Sequence, residues 1–180
     1  MDIQLTQFIN SLAGTVPLLD RFMIAVTQAG VPTIILFVAA QWWSRNERQH
    51  VRHVAMTAGL TFLLSLAINQ IILLFIHRIR PYDAGISHLI VDKSADWSLP
   101  SDHATAVFAV VFAFMLQKLN GRFLILLVLA ALVCLSRVYV GMHYISDILG
   151  GALVALCTVL LVRLVYKEGS KLDRIITGIL

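Results

Sequence analysis

Arg80, Ser101, His103, Arg137, His143 and Asp147 are the residues of this chain whose types and spacing could perform a reaction. His143 and Asp147 stand four positions apart, so they can approach across one helical turn or the bend before it. A carboxylate there can orient and polarise the imidazole, which can then attack phosphorus. A second imidazole, His103, can supply a proton to the departing oxygen. Arginines hold phosphate by forked hydrogen bonds, and a helix N-terminus holds it with free backbone N–H groups. The run Ser101-Asp102-His103-Ala104 reads as such a helix start, with Ser101 as its N-cap. Together these parts describe phosphoryl transfer through a phosphohistidine, with arginines stabilising charge on the equatorial oxygens.

A metal site is the competing reading, because two histidines and a carboxylate can bind zinc or iron. The surrounding arginines would repel a cation. The glutamates, Glu47 and Glu168, fall on the opposite side, so the carboxylate cluster of a two-metal phosphatase is missing. No metal and no other cofactor is expected.

The elements that must position these groups follow from composition. Of the 180 residues, 59% are hydrophobic and 13% charged, about half the charged share of an ordinary soluble domain. Several apolar stretches reach the roughly 20 residues that cross a bilayer core of about 30 Å. The expected fold is all-α: one integral membrane helical bundle over residues 1–180, with five transmembrane helices and an N-terminal interfacial helix. The crossings are expected near 19–43, with Pro32 as a kink site, and near 53–77, 101–118, 121–141 and 145–167. Residues 2–14 are too short and polar to span and suit the interface; a sixth crossing would require stretching that segment. The start lacks the basic region and apolar centre of a cleaved signal peptide. No internal repeat or low-complexity segment is visible.

The net charge of +4 and pI near 9.4 fit cytoplasmic loops rather than nucleic acid. Arg45, Arg48, Arg52, Lys118, Arg122, Arg163, Lys167, Lys171 and Arg174 fall on one side. Arg21, Arg78, Arg80, Lys93 and Arg137 fall on the other. The richer side is expected to be cytoplasmic, which leaves the loop 82–100 and the stretch 136–147 outside. Cys134 and Cys157 lie in apolar stretches and read as packing residues rather than a disulfide. His50 and His53 read as solvated loop residues, and His77 and His88 as bystanders near the mouth.

Helical rise sharpens the picture. Arg137 lies fifteen residues from Arg122, His103 fifteen from Lys118, and Asp147 sixteen from Arg163. At 1.5 Å per residue these separations are roughly 22–24 Å, so all three groups reach similar depth near the outer edge of the hydrocarbon. Arg78 and Arg80, beside Pro81, arrive at the same rim. Charges at that depth need an aqueous pocket or partners. Interfacial anchoring explains one arginine or tyrosine, but not a set converging from four helices.

The same residues resemble the type 2 phosphatidic acid phosphatase superfamily of membrane lipid phosphatases. Its three blocks occur in order. Arg80-Pro81 ends the first, and Pro100-Ser101-Asp102-His103 matches the second. Ser136-Arg137, five residues, His143, three residues and Asp147 match the third, which is the specific one. The resemblance implies His143 as nucleophile, Asp147 as its orienting partner and His103 as general acid. It implies Arg80, Ser101, Arg137 and the backbone N–H of Asp102 as phosphate ligands, with no metal.

Two positions depart from the pattern. Leu73 stands where the family has a lysine, and Arg78 is the nearest replacement charge. Asp102 stands where the family usually has glycine, and its carboxylate would repel an anion unless paired with arginine. Both departures are similar to the bacitracin-resistance subgroup of undecaprenyl diphosphate phosphatases. By that resemblance the expected reaction is hydrolysis of a polyprenyl diphosphate to the monophosphate at the extracytoplasmic face of the bacterial cytoplasmic membrane. This would recycle the wall-synthesis carrier lipid. The alternatives are a phosphatidic acid or phosphatidylglycerophosphate phosphatase, or a lipid phosphotransferase. A transporter fits less well, because repeated halves and broken midplane helices are not seen.

Overall fold

Pro17 opens the first long helix at a position where its missing N–H costs nothing. The computed structural model describes residues 1–179, and every regular element among them is helical. The helices are α1 (Asp2–Asn10), α2 (Pro17–Ala40), α3 (Arg48–Leu73), α4 (Asp102–Leu116), α5 (Asn120–Tyr139), α6 (Ile145–Val165) and α7 (Lys171–Thr177); a 3₁₀ turn (Gln41–Trp43) extends α2. Helix α2 runs through Pro32 without breaking.

Among the described residues, four helices are long and apolar enough to cross a bilayer: α2 with its 3₁₀ extension, α3, α5 and α6. The expected third crossing is instead the short α4, with 15 residues, or about 22 Å. It lies in the middle, packed against α3, α5 and α6 and touching α2. Its side chains suit that place. Ala104, Ala106, Val107, Ala109, Val110, Val111, Ala113 and Phe114 are all buried, and small residues let helices approach closely where lipid supplies no hydrophobic drive. Around this centre Leu18, Leu36, Leu63, Val128, Leu149, Leu153 and Leu164 point outward. Such a girdle suits hydrocarbon and would be a liability in water. The chain is an integral membrane helical bundle.

Gly151 marks a close approach between helices. A Cβ there would stand 2.7 Å from the Ser101 carbonyl oxygen and 2.8 Å from Thr105 Oγ1, so its absence lets α6 lie against the first turn of α4. Gly141, at φ +86°, makes the turn leaving α5, where a Cβ would meet the His88 carbonyl oxygen at 2.5 Å.

Two expectations are corrected at the other end of the bundle. Helix α3 begins at Arg48 rather than near residue 53, so His50 and His53 are helical. His53 is buried, bonded to Asp173 Oδ1 at 2.8 Å and stacked on Tyr166. The partner comes from α7, an element with no strong apolar signal of its own. Cys134 is a packing residue, but Cys157 faces outward from α6.

Gly151→Val is expected to lower the midpoint of thermal unfolding in detergent by several degrees, as overpacking of a closed interface costs about 1–3 kcal/mol. Gly59→Val, with open space around its Cβ position, is the control and should leave the midpoint nearly unchanged.

Candidate active site

Four stretches of chain meet at one end of the bundle: the loop after α3, the start of α4, the end of α5 and the turn into α6. Ser101 caps α4, its Oγ accepting from the Ala104 N–H at 3.5 Å while its own N–H donates to the Asp147 carbonyl at 3.2 Å. The Thr105 N–H returns to the Ser101 carbonyl at 2.9 Å, so the Asp102 and His103 N–H groups are the ones at the helix start that have no acceptor within the helix.

His143 sits in the turn between α5 and α6 and is buried. Its Nδ1 lies 2.9 Å from the Ser98 carbonyl oxygen and 3.4 Å from Asp147 Oδ2. A carbonyl only accepts, so Nδ1 carries the proton and Nε2 carries the lone pair. Nε2 faces Arg80 Nη1 at 3.3 Å. Ser98 is therefore the nearer partner of the ring, with Asp147 behind it. Burial, the largest cause, and the nearby Arg137 and Arg80 hold the imidazole at about 4, against the opposing pull of Asp147.

The Asp147 carboxylate is fully buried and collects donors from several segments. Oδ1 accepts from Arg78 Nη1 at 2.6 Å, and Oδ2 from the Tyr144 N–H at 2.9 Å and from the Ser98 hydroxyl. Arg78 therefore pairs with Asp147, and Leu73 is buried.

Arg80 is fixed by the Asp96 carbonyl at 2.8 Å, the Met142 carbonyl at 3.1 Å and Ser94 Oγ at 3.1 Å. Arg137 donates from Nη1 to Thr27 Oγ1 at 2.8 Å, and its buried Nε has no hydrogen-bond partner. The His103 ring lies beside the Thr27 backbone and within electrostatic reach of Arg137, His143 and Arg80. Asp102 turns away from these cations. Its Oδ1 accepts from Asn69 Nδ2 at 2.8 Å and its Oδ2 from Gln70 Nε2 at 3.3 Å, so amides of α3, rather than an arginine, answer its charge.

All seven residues singled out from the sequence thus lie at one end, with the Asp102 carboxylate the one group directed elsewhere. Ser98, Thr27, Asn69, Ser94 and Arg78's bond to Asp147 were not anticipated. Serines, a threonine and an asparagine in a polar loop or a long helix carry no pattern of their own. Only the separate fact that a buried charge needs donors points to them. The site's donors are mostly arginine N–H groups and a helix start, a set suited to an anion. No group of three or more His, Cys, Asp or Glu side chains with metal-ligand placement occurs among the described residues.

Fold and site together define a polytopic helical membrane protein whose buried histidine, aspartate and arginines gather at one rim. The chain belongs to the PAP2 superfamily, whose model matches residues 54–170. It is similar to the undecaprenyl-diphosphatase BcrC of Bacillus subtilis, with 31% identity over 87% of this chain and 79% of that one. It is 28% identical to YbjG of Escherichia coli over 96% of this chain and 86% of the relative. The crystal structure of a PAP2-type phosphatidylglycerolphosphate phosphatase from Bacillus subtilis shares the fold, with a TM-score of 0.65 at 23% identity, covering 93% of this chain and 87% of that one. The chain is accordingly a membrane lipid phosphatase of that superfamily.

The lowered His143 value favours the neutral ring, so a reaction that uses its Nε2 lone pair is expected to survive well below the ordinary imidazole value of 6.5. After correction for the substrate's own ionisation, the acid limb of kcat/KM is expected near pH 4. A limb at 6.5 that tracks this ring contradicts the arrangement.

Proposed function

We propose that the protein hydrolyses undecaprenyl diphosphate, or a similar polyprenyl diphosphate, to the monophosphate and inorganic phosphate through a phosphohistidine. The observation that carries this reading is the geometry of His143, with Nδ1 engaged by a carbonyl and the Nε2 lone pair facing Arg80 Nη1 at 3.3 Å. The Nε2 lone pair attacks the terminal phosphorus, forming a P–N bond as the bond to the bridging oxygen breaks. His103, protonated beside the negative charge of the bound diphosphate, gives its proton to that oxygen as the lipid monophosphate leaves. Water then attacks the phosphohistidine, His103 accepts the proton, and phosphate departs with His143 restored.

Arg80 and Arg137 hold the equatorial oxygens, and the partnerless Arg137 Nε is one of the donors assigned to them. Ser101 and the first N–H groups of α4 complete the phosphate cradle. Asp147 balances the positive charge that the ring acquires on phosphorylation. The reaction needs no metal in this scheme, because cationic side chains do the work of charge stabilisation.

The likeness to BcrC over most of both chains supports the diphosphate substrate. The apolar girdle supports a substrate whose tail stays in lipid while its head reaches the rim. The excess of Lys and Arg at the opposite end supports a cytoplasmic position for that end and an extracytoplasmic site, in the cytoplasmic membrane of a bacterium.

Phosphate release by the purified protein should be measured with chelator present on undecaprenyl diphosphate, phosphatidic acid and phosphatidylglycerophosphate. The diphosphate is expected to turn over fastest. A preference for either monoester changes the substrate assignment, and loss of activity on chelation that added metal restores overturns the histidine scheme. His143→Ala is expected to lower kcat at least about 10³-fold, and full turnover in that variant removes it as nucleophile. A cysteine replacing Ser87 should react with an impermeant thiol reagent from outside the cell; reaction only from inside reverses the orientation.

A further inference from the structure

Helix α1 touches the site through its first acidic residue. Asp2 Oδ2 lies 2.8 Å from Arg78 Nη2, and Arg78 Nη1 lies 2.6 Å from Asp147 Oδ1. One guanidinium therefore bridges two carboxylates, one at the rim and one behind His143. The arrangement is braced on every side. Arg78 Nη1 also donates to Ser146 Oγ at 2.7 Å, and its guanidinium carbon sits 4.0 Å above the Tyr144 ring. The Ser146 N–H donates to Asp2 Oδ1 at 3.0 Å, and the Ser146 hydroxyl donates to Asp2 Oδ2.

The rest of α1 is held independently. Asn10 Nδ2 donates to the Tyr139 and His88 carbonyls at 2.7 and 2.9 Å, and Asn10 Oδ1 accepts from the His88 N–H at 2.7 Å. Ile3, Leu5 and Phe8 of the helix are exposed, as is Leu12 just beyond it. Docking of α1 therefore does not require the charge of Asp2, which asks for a different use.

The charges around His143 supply that use. Arg80 faces it from the loop after α3, Arg137 from α5 and His103 from α4. The charges of both arginines disfavour a positive ring, yet the ring becomes positive once Nε2 bonds phosphorus while Nδ1 keeps its proton. The carboxylate positioned to oppose them is Asp147, at 3.4 Å. Paired with Arg78 alone, Asp147 would present close to no net charge. With Asp2 on the far edge of the guanidinium, the three groups keep one net negative charge behind the ring.

We propose that Asp2 is a positioning residue for phosphoryl transfer: by sharing Arg78, it leaves the Asp147 charge available to the phosphorylated His143 ring. Asp2 itself stays ionised in this role. Burial opposes ionisation, but the bonds from Ser146 and Arg78 outweigh it and lower its value below the ordinary carboxylate range. The proposal rests on the histidine scheme above and assigns a task to a helix outside the three sequence blocks.

A double-mutant cycle on the full-length protein in detergent, with undecaprenyl diphosphate as substrate, tests it. Asp2→Asn retains the side-chain shape and an acceptor for Ser146. It is expected to lower kcat about fivefold, the equivalent of ~1 kcal/mol for a partly exposed charge, with KM within about twofold of the wild type. Asp2→Glu should restore most of the loss. In an Arg78→Gln background, Asp2→Asn should have no further effect on kcat, because the group through which it acts is gone.

An equal loss in both backgrounds overturns the proposal and makes Asp2 a docking residue acting through Ser146. So does a wild-type kcat in Asp2→Asn, or a loss expressed in KM together with a lower unfolding midpoint. If Arg78→Gln does not fold, the division between kcat and KM and the rescue by glutamate decide the matter. A wild-type protein inactive on every lipid phosphate overturns the hydrolase reading itself. An active protein with additive variants overturns only the role of Asp2.

Discussion

Burying the Asp147 carboxylate inside an apolar bundle is the constraint on which much of this structure depends. An ionised carboxylate removed from water is tolerated only when several donors replace its hydration. Here they come from distant parts of the sequence: Arg78 and Ser98 from the loop between α3 and α4, and the Tyr144 N–H from the start of α6. Each donor fixes a segment. The Tyr144 bond sets the first turn of α6, the Ser98 hydroxyl brings the loop across the site, and the Ser98 carbonyl then meets His143. A loop of many residues is thus disciplined by one carboxylate. Breaking a buried pair of this kind typically costs about 3–5 kcal/mol, enough to disturb the position of every group attached to it.

The short central helix is the other half of the arrangement. Because α4 is only 15 residues long, its first turn lies among the surrounding helices, where Gly151 admits it to van der Waals contact with α6. Its start, the end of α5 and the turn into α6 consequently share one depth. Asp102 shows how a charge can sit beside that start without weakening it. An acid in the first turn favours the helix dipole, and Asn69 and Gln70 hold the carboxylate on the side of α3. An aspartate in place of glycine is then compatible with an anion site.

Much of the fold, and the seven residues that gather at the candidate site, were legible in the sequence, for different reasons. Apolar runs report crossings directly, since hydrocarbon demands them. The rise per residue placed Arg137, His103 and Asp147 at one level because helices are rigid rulers. What the sequence did not show were relations between neighbours in space. The bond from His143 to the Ser98 carbonyl is made by a backbone atom that any residue possesses. The pairing of His53 with Asp173 joins residues 120 positions apart, through a short helix whose alternation is too brief to announce itself. The crossing count depended on α4, whose composition suits a span but whose length does not.

The contrast between the two His–Asp pairs says what separates a site from a scaffold. At the far end, Asp173 Oδ1 accepts from His53 and Tyr166, and Oδ2 from the Gly169 N–H. The nearby Arg52 donates to the carbonyls of Trp42, Thr177 and Ile179, which secures the last turn of the chain. Those donors are spent on protein acceptors, and the result is a clasp. At the rim, Asp147 is equally well supplied, yet Arg80 and Arg137 add cationic charge around the neighbouring imidazole, and Arg137 Nε is left without a partner. Holding such an excess in a buried place costs stability. Its sense lies in an anion that completes the balance, and a phosphate group carries the charge and the oxygens to do so.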